Sequence, residues 1–468
     1  MKILFSVQNF GFLRNFQSTV SLLAEHGHSI HIVADRADKV GGSQLLAALT
    51  AAHPGVTHEI VKSPKRGKWV SVSALVRLTI DYWRYLEPQF AQATQLRARA
   101  EDHVPRVIVL IPRLPGLRSQ WARRLLMRLA RAIERVIPPR PDVDTLLERR
   151  KPDLLLLTPL LYFGSKQVDY VRAARQRGIP SVLGVGSWDH LTTKGLIHEA
   201  PDRVIVWNEM QRDEACELHG IERGHVVVTG SQAYDHWFSR QVSTTRQEFC
   251  DRIGLSAAKP YLLYLCSSPF ITPHEVPFIR RWITAVRSSE DLDVRSLGLM
   301  IRPHPQNAMQ WKDVDFGEYG QVAIWPRAGA NPIDADARAE YYDSMFHSRA
   351  VVGVNTSALI ESGIVGRVVL SLVVDEFAGT QEGTLHFQHL KNAGGGLLRL
   401  ASTLDEHITQ VSRLIHDDPN NDQAKIRGFV QAFIRPHGLD VPATPRVVAA
   451  IEDAALLHPV APKPSLAA

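Results

Sequence analysis

Short apolar runs alternate with stretches of helical period, and the alternation occurs twice, on either side of a polar break near residues 240–258. Each run is too short to cross a membrane and too apolar to lie on a surface. Such runs are buried between helices, the pattern of an open, mostly parallel sheet with helices on both faces. In the first series residues 2–7 read as a strand, 8–15 as a polar loop, and Phe16–Glu25 as a helix carried by Phe16, Val20 and Leu23. His26-Gly27-His28 stops that helix, and Ser29–Ala34 reads as the next strand. Further strands are expected at Asp153–Thr158, Pro180–Gly184, Arg203–Trp207 and His225–Thr229. The second series places strands at Tyr261–Cys266, Gly298–Arg302, Ala350–Val354 and Val368–Leu372, with helices at Pro277–Arg287 and Ser357–Val365.

The expected fold class is therefore α/β, with two Rossmann-like doubly wound domains facing a cleft. The expected boundaries are residues 1–245 for the first domain, with a helical insertion over about 66–140, and 246–458 for the second. A chain of 468 residues is long enough for two cores. Residues 459–468, rich in proline and alanine, are expected to form a flexible tail. Three scattered cysteines, Cys216, Cys250 and Cys266, give neither a disulfide framework nor a zinc motif and read as reduced core thiols. With no apolar leader at Met1 and no bilayer-length run, the chain reads as a soluble, cytoplasmic protein.

In open parallel sheets the ligand sits beyond the carboxyl ends of the strands, so each loop that follows a strand is a candidate. Four are rich in polar groups. Val354-Asn355-Thr356-Ser357 leads from a strand into a helix, where Asn355, Thr356 or Ser357 would cap it and free N–H groups would face an anion. Glu361, four residues beyond Ser357, would reach a ribose or sugar hydroxyl. Arg302-Pro303-His304-Pro305 follows another strand of the same half. Its prolines stiffen a loop in which Arg302 and His304 suit a diphosphate, and His304 would also serve catalysis by protonating the departing phosphate. In the N-terminal half, Gly184–Gly195 carries Asp189 and His190, either of which would serve as the base for an acceptor hydroxyl. The stretch from Asp375 to Phe387 supplies Glu376 and His386 for sugar hydroxyls or phosphate. The plainer alternatives are an ordinary helix cap, a rigid turn and two connecting loops.

The acid pairs Asp142/Asp144, Asp291/Asp293 and Asp313/Asp315 follow no convincing strand and read as solvated turns, so no metal or cofactor is expected. A P-loop, G-x-G-x-x-G, H-E-x-x-H and G-x-S-x-G are all absent, which removes the simplest support for kinase, dehydrogenase, metalloprotease and serine hydrolase readings.

The paired halves resemble the GT-B fold of glycosyltransferases, as does the opening strand–loop–helix with Glu25-His26-Gly27-His28. Arg302-Pro303-His304-Pro305 and Asn355-Thr356-Ser357 with Glu361 resemble the donor half of CDP-glycerol glycerophosphotransferases and related surface-polysaccharide transferases. Val228–Asp235 resembles the end of the N-terminal half in that superfamily and in UDP-sugar 2-epimerases. Many of the phosphotransferases carry Asp-Tyr-Ser-Ser where this chain has Val354-Asn355-Thr356-Ser357, which turns the expected donor from a CDP-alcohol to a nucleotide-sugar. The resemblance implies a metal-independent glycosyltransferase moving a sugar to a glycan or lipid-linked acceptor, with the donor held by the C-terminal half and the acceptor by the N-terminal half. The alternatives are a CDP-alcohol phosphotransferase, a UDP-sugar 2-epimerase, or a non-catalytic protein that binds a glycan precursor.

The formal charge of +6 and pI near 9.2 are concentrated rather than spread. Arg118–Arg140 carries seven arginines against the single acid Glu134. Within it Trp121, Leu125, Leu129 and Ile133 recur at near-helical spacing. Two readings fit: a basic amphipathic helix lying on an anionic membrane at its inner face, or a helix that packs its apolar stripe on the domain. Nucleic acid is not expected as a partner, because no recognition motif accompanies the charge.

Overall fold

Seven strands form the first sheet: β1 (Lys2–Asn9), β2 (Ser29–Arg36), β3 (Val56–Ile60), β4 (Leu154–Thr158), β5 (Ser181–Gly184), β6 (Arg203–Val206) and β7 (Val226–Val228). All pairs are parallel, in the order β3-β2-β1-β4-β5-β6-β7. The second sheet has six: β8 (Tyr261–Leu265), β9 (Gly298–Arg302), β10 (Val322–Ile324), β11 (Ala350–Gly353), β12 (Val368–Leu372) and β13 (Leu398–Ala401). These too are parallel, in the order β10-β9-β8-β11-β12-β13. This computed structural model describes residues 1–36, 38, 41–61, 68–418 and 421–457. The expected tail, 459–468, lies outside the described residues.

Both sheets are doubly wound, as the alternation predicts. In each, the winding direction reverses beside the first strand, between β1 and β4 and between β8 and β11. A crevice opens at such a reversal because the flanking connections leave to opposite sides. The central strands carry apolar side chains on both faces and fill two cores. Ile3, Phe5 and Val7 pack on one side of the first sheet, and Leu4, Leu155 and Leu157 on the other. At Gly184 a β-carbon would lie 2.6 Å from the Phe16 ring, so only glycine lets the end of β5 come this close to the start of the helix Gln17–Glu25.

The chain divides into two compact units, residues 1–233 together with the segment from Arg435 onward, and Tyr234–Ile434. The C-terminal segment joins the first unit because the helix Ala443–Ala455 places Val447, Val448 and Ile451 in the β1 core. Its Thr444 hydroxyl lies 2.9 Å from that of Ser18. Glu452 accepts hydrogen bonds from His26 and His28 at 2.7 and 2.9 Å.

Among the described residues five α-helices lie between β3 and β4; Pro141–Arg150 leads into β4, and before it come Lys68–Arg84, Thr94–Glu101, Arg106–Leu110 and Gln120–Val136. Lys68–Arg84 and Gln120–Val136 are antiparallel neighbours, since Arg77 meets Glu134 at one end and Ile80 packs with Met127 and Ala130 nearer the other. A buried charge network fixes them to the segments that flank the sheet. The Arg77 guanidinium donates to Glu134 at 3.0 Å, to Asp169 at 2.6 Å and to the Ser165 carbonyl at 2.9 Å. His198 bridges Asp81 and Glu134, each at 2.9 Å. Burial works against both charges, yet the His198 pKa is raised to about 9 by Asp81 and Glu134. The Glu134 carboxyl falls to about 2 under His198, Arg77 and Arg172.

Candidate functional site

Three of the four expected loops meet at the carboxyl edge of the second sheet, around a fourth segment that sequence reasoning passed over. That segment is residues 266–275, which follow β8 and sit at the reversal of strand order. Every neighbouring loop is tied to it. The Asn307 amide donates to the Thr272 carbonyl at 2.8 Å, and Gln310 accepts the Glu275 backbone N–H at 2.9 Å, which clips on the loop after β9. The Asn355 backbone N–H reaches the Ser267 hydroxyl at 3.4 Å, which clips on the loop after β11. The Thr380 hydroxyl donates to the Ile271 carbonyl at 2.9 Å, which clips on the loop after β12.

Asn355 is buried beneath this junction. Its amide nitrogen donates to the Thr380 carbonyl at 2.7 Å and lies 3.4 Å from His386 Nε2, so the first and fourth expected loops meet here. Ser357 is exposed at the start of the helix Ala358–Ile364 and makes no side-chain cap. The Thr356 hydroxyl stands 3.5 Å from the Ala358 N–H instead.

The loop after β9 begins with Arg302, but its guanidinium is committed. It grips Glu340 through two bonds of 2.8 and 3.1 Å and lies over the Tyr341 ring at 4.6 Å. The Tyr341 hydroxyl donates to Glu361 at 2.5 Å, which links Arg302 to the helix of the Asn355 loop. Both residues expected to touch the ligand are thus joined through the helix Ala335–Phe346, which the sequence reading left out. His304, half-buried, accepts the Gln306 N–H on Nδ1 at 3.2 Å. In the neutral ring that places the proton on Nε2, the donor a phosphate would require. Glu376 is held elsewhere, in an exposed ion pair with Arg281.

Glu275 is the functional-site candidate missed from sequence. It is fully buried at the start of the helix Val276–Arg287, with the Ser267 N–H at 3.1 Å and the Tyr264 hydroxyl at 3.2 Å. Burial drives its pKa up to about 8 against these donors. An acid that titrates near neutral pH at a switch point is the kind of group found in working sites. Its only sequence signal was its place before a proline-led helix.

In the first unit the loop after β5 holds Asp189 half-buried. Its carboxylate accepts the Ser187 hydroxyl at 2.5 Å and the Thr193 hydroxyl at 2.9 Å. His190 is buried beside Phe12, and that burial, only partly opposed by Asp189, pulls its pKa down to about 4. It is therefore neutral at ordinary pH. The loop is tied to the β1 loop by the Asn15 amide, which donates to the Gly186 carbonyl at 2.7 Å.

Among the described residues, two groups bring three metal-ligand atoms within 4.8 Å of one another: His26, His28 and Glu452, and Asp291, Asp293 and His416. Both serve the fold. The first joins the Ala443–Ala455 helix to the turn before β2. In the second, Asp291 caps a helical turn and accepts the Ser412 hydroxyl.

No family profile matches the sequence, and no curated protein does. The solved structures do match. The UDP-GlcNAc 2-epimerase from Neisseria meningitidis, bound to UDP-GlcNAc, aligns over 97% of this chain and 100% of its own, with TM-score 0.55 and 11% identity. The MnaA–UDP structure from S. aureus covers 99% of both chains, with TM-score 0.53 and 13% identity. A glycosyltransferase from Rickettsia africae covers 97% and 98%, with TM-score 0.54 and 9% identity. The fold is GT-B-like. At these identities the likeness concerns the fold alone, and it agrees with the expected pair of Rossmann-like halves.

Proposed function

We propose that the protein is a metal-independent glycosyltransferase that takes its sugar from a nucleotide-sugar. The observation that carries this reading is the four-loop junction over the strand reversal of the second unit, in a fold shared with enzymes whose structures hold UDP and UDP-GlcNAc. In this reading the Nε2–H of His304 and the backbone N–H groups at Thr356 and Ser357 receive the diphosphate. Arg302, neutralised by Glu340, positions the loop rather than touching the ligand. As the bond from the sugar's anomeric carbon to the phosphate oxygen breaks, these donors face the growing charge. Asp189 takes the acceptor hydroxyl proton as the new glycosidic bond forms.

The test is thermal unfolding in EDTA with UDP, GDP or CDP. A ligand of the folded state raises the melting temperature by mass action, so one of the three gives a saturable rise without a divalent ion. No shift with any diphosphate overturns the reading.

The structural neighbours favour one second reading, a UDP-sugar 2-epimerase. An epimerase converts its nucleotide-sugar with no acceptor present. Product from UDP-GlcNAc alone identifies that activity, and strict dependence on an added acceptor supports transfer.

A further inference from the structure

The helix Gln120–Val136 is turned inside out relative to the usual rule. Its buried face is Ala122, Met127, Ala130 and Glu134. Its large apolar side chains, Trp121, Leu125, Leu129, Ile133 and Val136, face outward, with Trp121 73% and Val136 78% exposed. Of the 17 exposed large apolar residues among the described ones, 11 lie between Trp69 and Val136, so the exposure is a property of this insertion and not of the surface at large. At ~100° per residue the five side chains sweep about 120° of the helix circumference. Arg124, Arg128, Arg131 and Arg135, all exposed, occupy about 60° alongside that sector. The helix's only acid, Glu134, is buried beneath it in the network with Arg77 and His198. The adjoining segments repeat the pattern, with Val107, Leu110 and Leu114 exposed among Arg106, Arg113 and Arg118.

We propose that this face is a docking surface for an anionic lipid bilayer, the apolar stripe entering the interface and the arginine row meeting lipid phosphates. Charge complementarity selects that occupant. A second copy docked stripe to stripe would bring two rows of four guanidinium groups together, which like-charge repulsion opposes. A nucleic acid would engage the cations and leave Trp121, Leu125 and Ile133 in water. An amphipathic helix with a basic flank and a Trp- and Leu-bearing face uses both halves of itself at a charged membrane surface. No described helix is long and apolar enough to cross a membrane, so the contact is peripheral. The inference rests on this surface alone and is independent of the donor site.

The experiment is co-sedimentation of the full chain with vesicles of phosphatidylcholine, alone or with one quarter phosphatidylglycerol, at low and at high salt. Each cation near the anionic surface multiplies partition by about fivefold, so Arg124→Gln, Arg128→Gln, Arg131→Gln and Arg135→Gln together lower it by at least ~100-fold. Leu129→Asp with Ile133→Asp abolishes sedimentation while leaving the arginines in place. All six positions are exposed, and an unchanged melting temperature in both variants confirms that the fold is intact. Wild type is expected to pellet with anionic vesicles and to stay in the supernatant with neutral ones. Failure to pellet with either lipid at low salt overturns the proposal. So does binding that the Leu129/Ile133 variant retains, which would be charge attraction without insertion. A dimer that this variant dissociates, with no vesicle binding by wild type, gives the surface to a second copy. RNA binding without vesicle binding gives it to nucleic acid.

Discussion

His198 should make the helical insertion sensitive to alkaline pH. Its ring is wholly buried between Asp81 and Glu134, and its pKa of about 9 stands well above the 6.5 of an exposed histidine. A group whose folded pKa is raised stabilises the fold fully below its unfolded pKa and loses that contribution as pH rises through the folded one. The difference corresponds to about 3 kcal/mol below pH 6, about 1 kcal/mol at pH 8 and almost nothing by pH 10. Amide exchange of the helices Lys68–Arg84 and Gln120–Val136 reads this locally, which matters because a two-unit chain need not unfold in one step. In wild type the opening free energy of these helices should fall from pH 6 to 9.5 by a few kcal/mol. In His198→Gln it should start lower and stay nearly flat over the same range. Parallel pH profiles, or a His198 resonance titrating at or below 6.5, would refute the reasoning.

Three further outcomes are expected. Glu275→Gln should raise the melting temperature most at pH 8 and least at pH 5: a buried acid with pKa about 8 favours the unfolded chain increasingly as pH rises above 4.5. Melting curves of both forms that run parallel across that range would contradict it. His304→Ala should weaken binding of a nucleoside diphosphate by about 1–3 kcal/mol while sparing the nucleoside, measured by titration calorimetry; equal losses would put the residue outside the phosphate site. Asp189→Asn should leave donor affinity nearly unchanged and slow transfer by a factor on the order of 100, in an assay of sugar incorporated into acceptor. Unaltered turnover would take Asp189 out of the mechanism.

Ten of the thirteen described strands were legible because each is a compact apolar run, as parallel burial demands of Leu154–Leu157 or Val368–Leu372; β3, β10 and β13, edge strands that are only partly buried, were passed over. Loops at the carboxyl ends were legible for the same reason: a strand's end names its loop. Partners were not. Nothing near Arg302 announces Glu340, 38 residues on, so a paired arginine read as an anion receptor. Nothing near Glu361 announces Tyr341. The orientation of Gln120–Val136 was equally hidden, because Glu134 is drawn inward by Arg77, Arg172 and His198, which lie 38 to 64 residues away. Local periodicity located the apolar stripe and could not say which way it faces.

The return of Ala443–Ala455 to the first sheet has a consequence for synthesis. That helix supplies Val447, Val448, Ala450, Ile451 and Ala454 to the core that covers β1, β2 and β4. On the ribosome those strands emerge early, with Val20, Leu23, Leu46 and Leu49 to cover part of this face, yet the side chains that complete the cover are made after the whole of Tyr234–Ile434. At ~5–20 residues per second, about 200 residues take roughly 10–40 s, during which part of an apolar face stands open while the second unit completes itself. The second unit is thus able to fold first, and the earliest-made sheet is the last to be sealed.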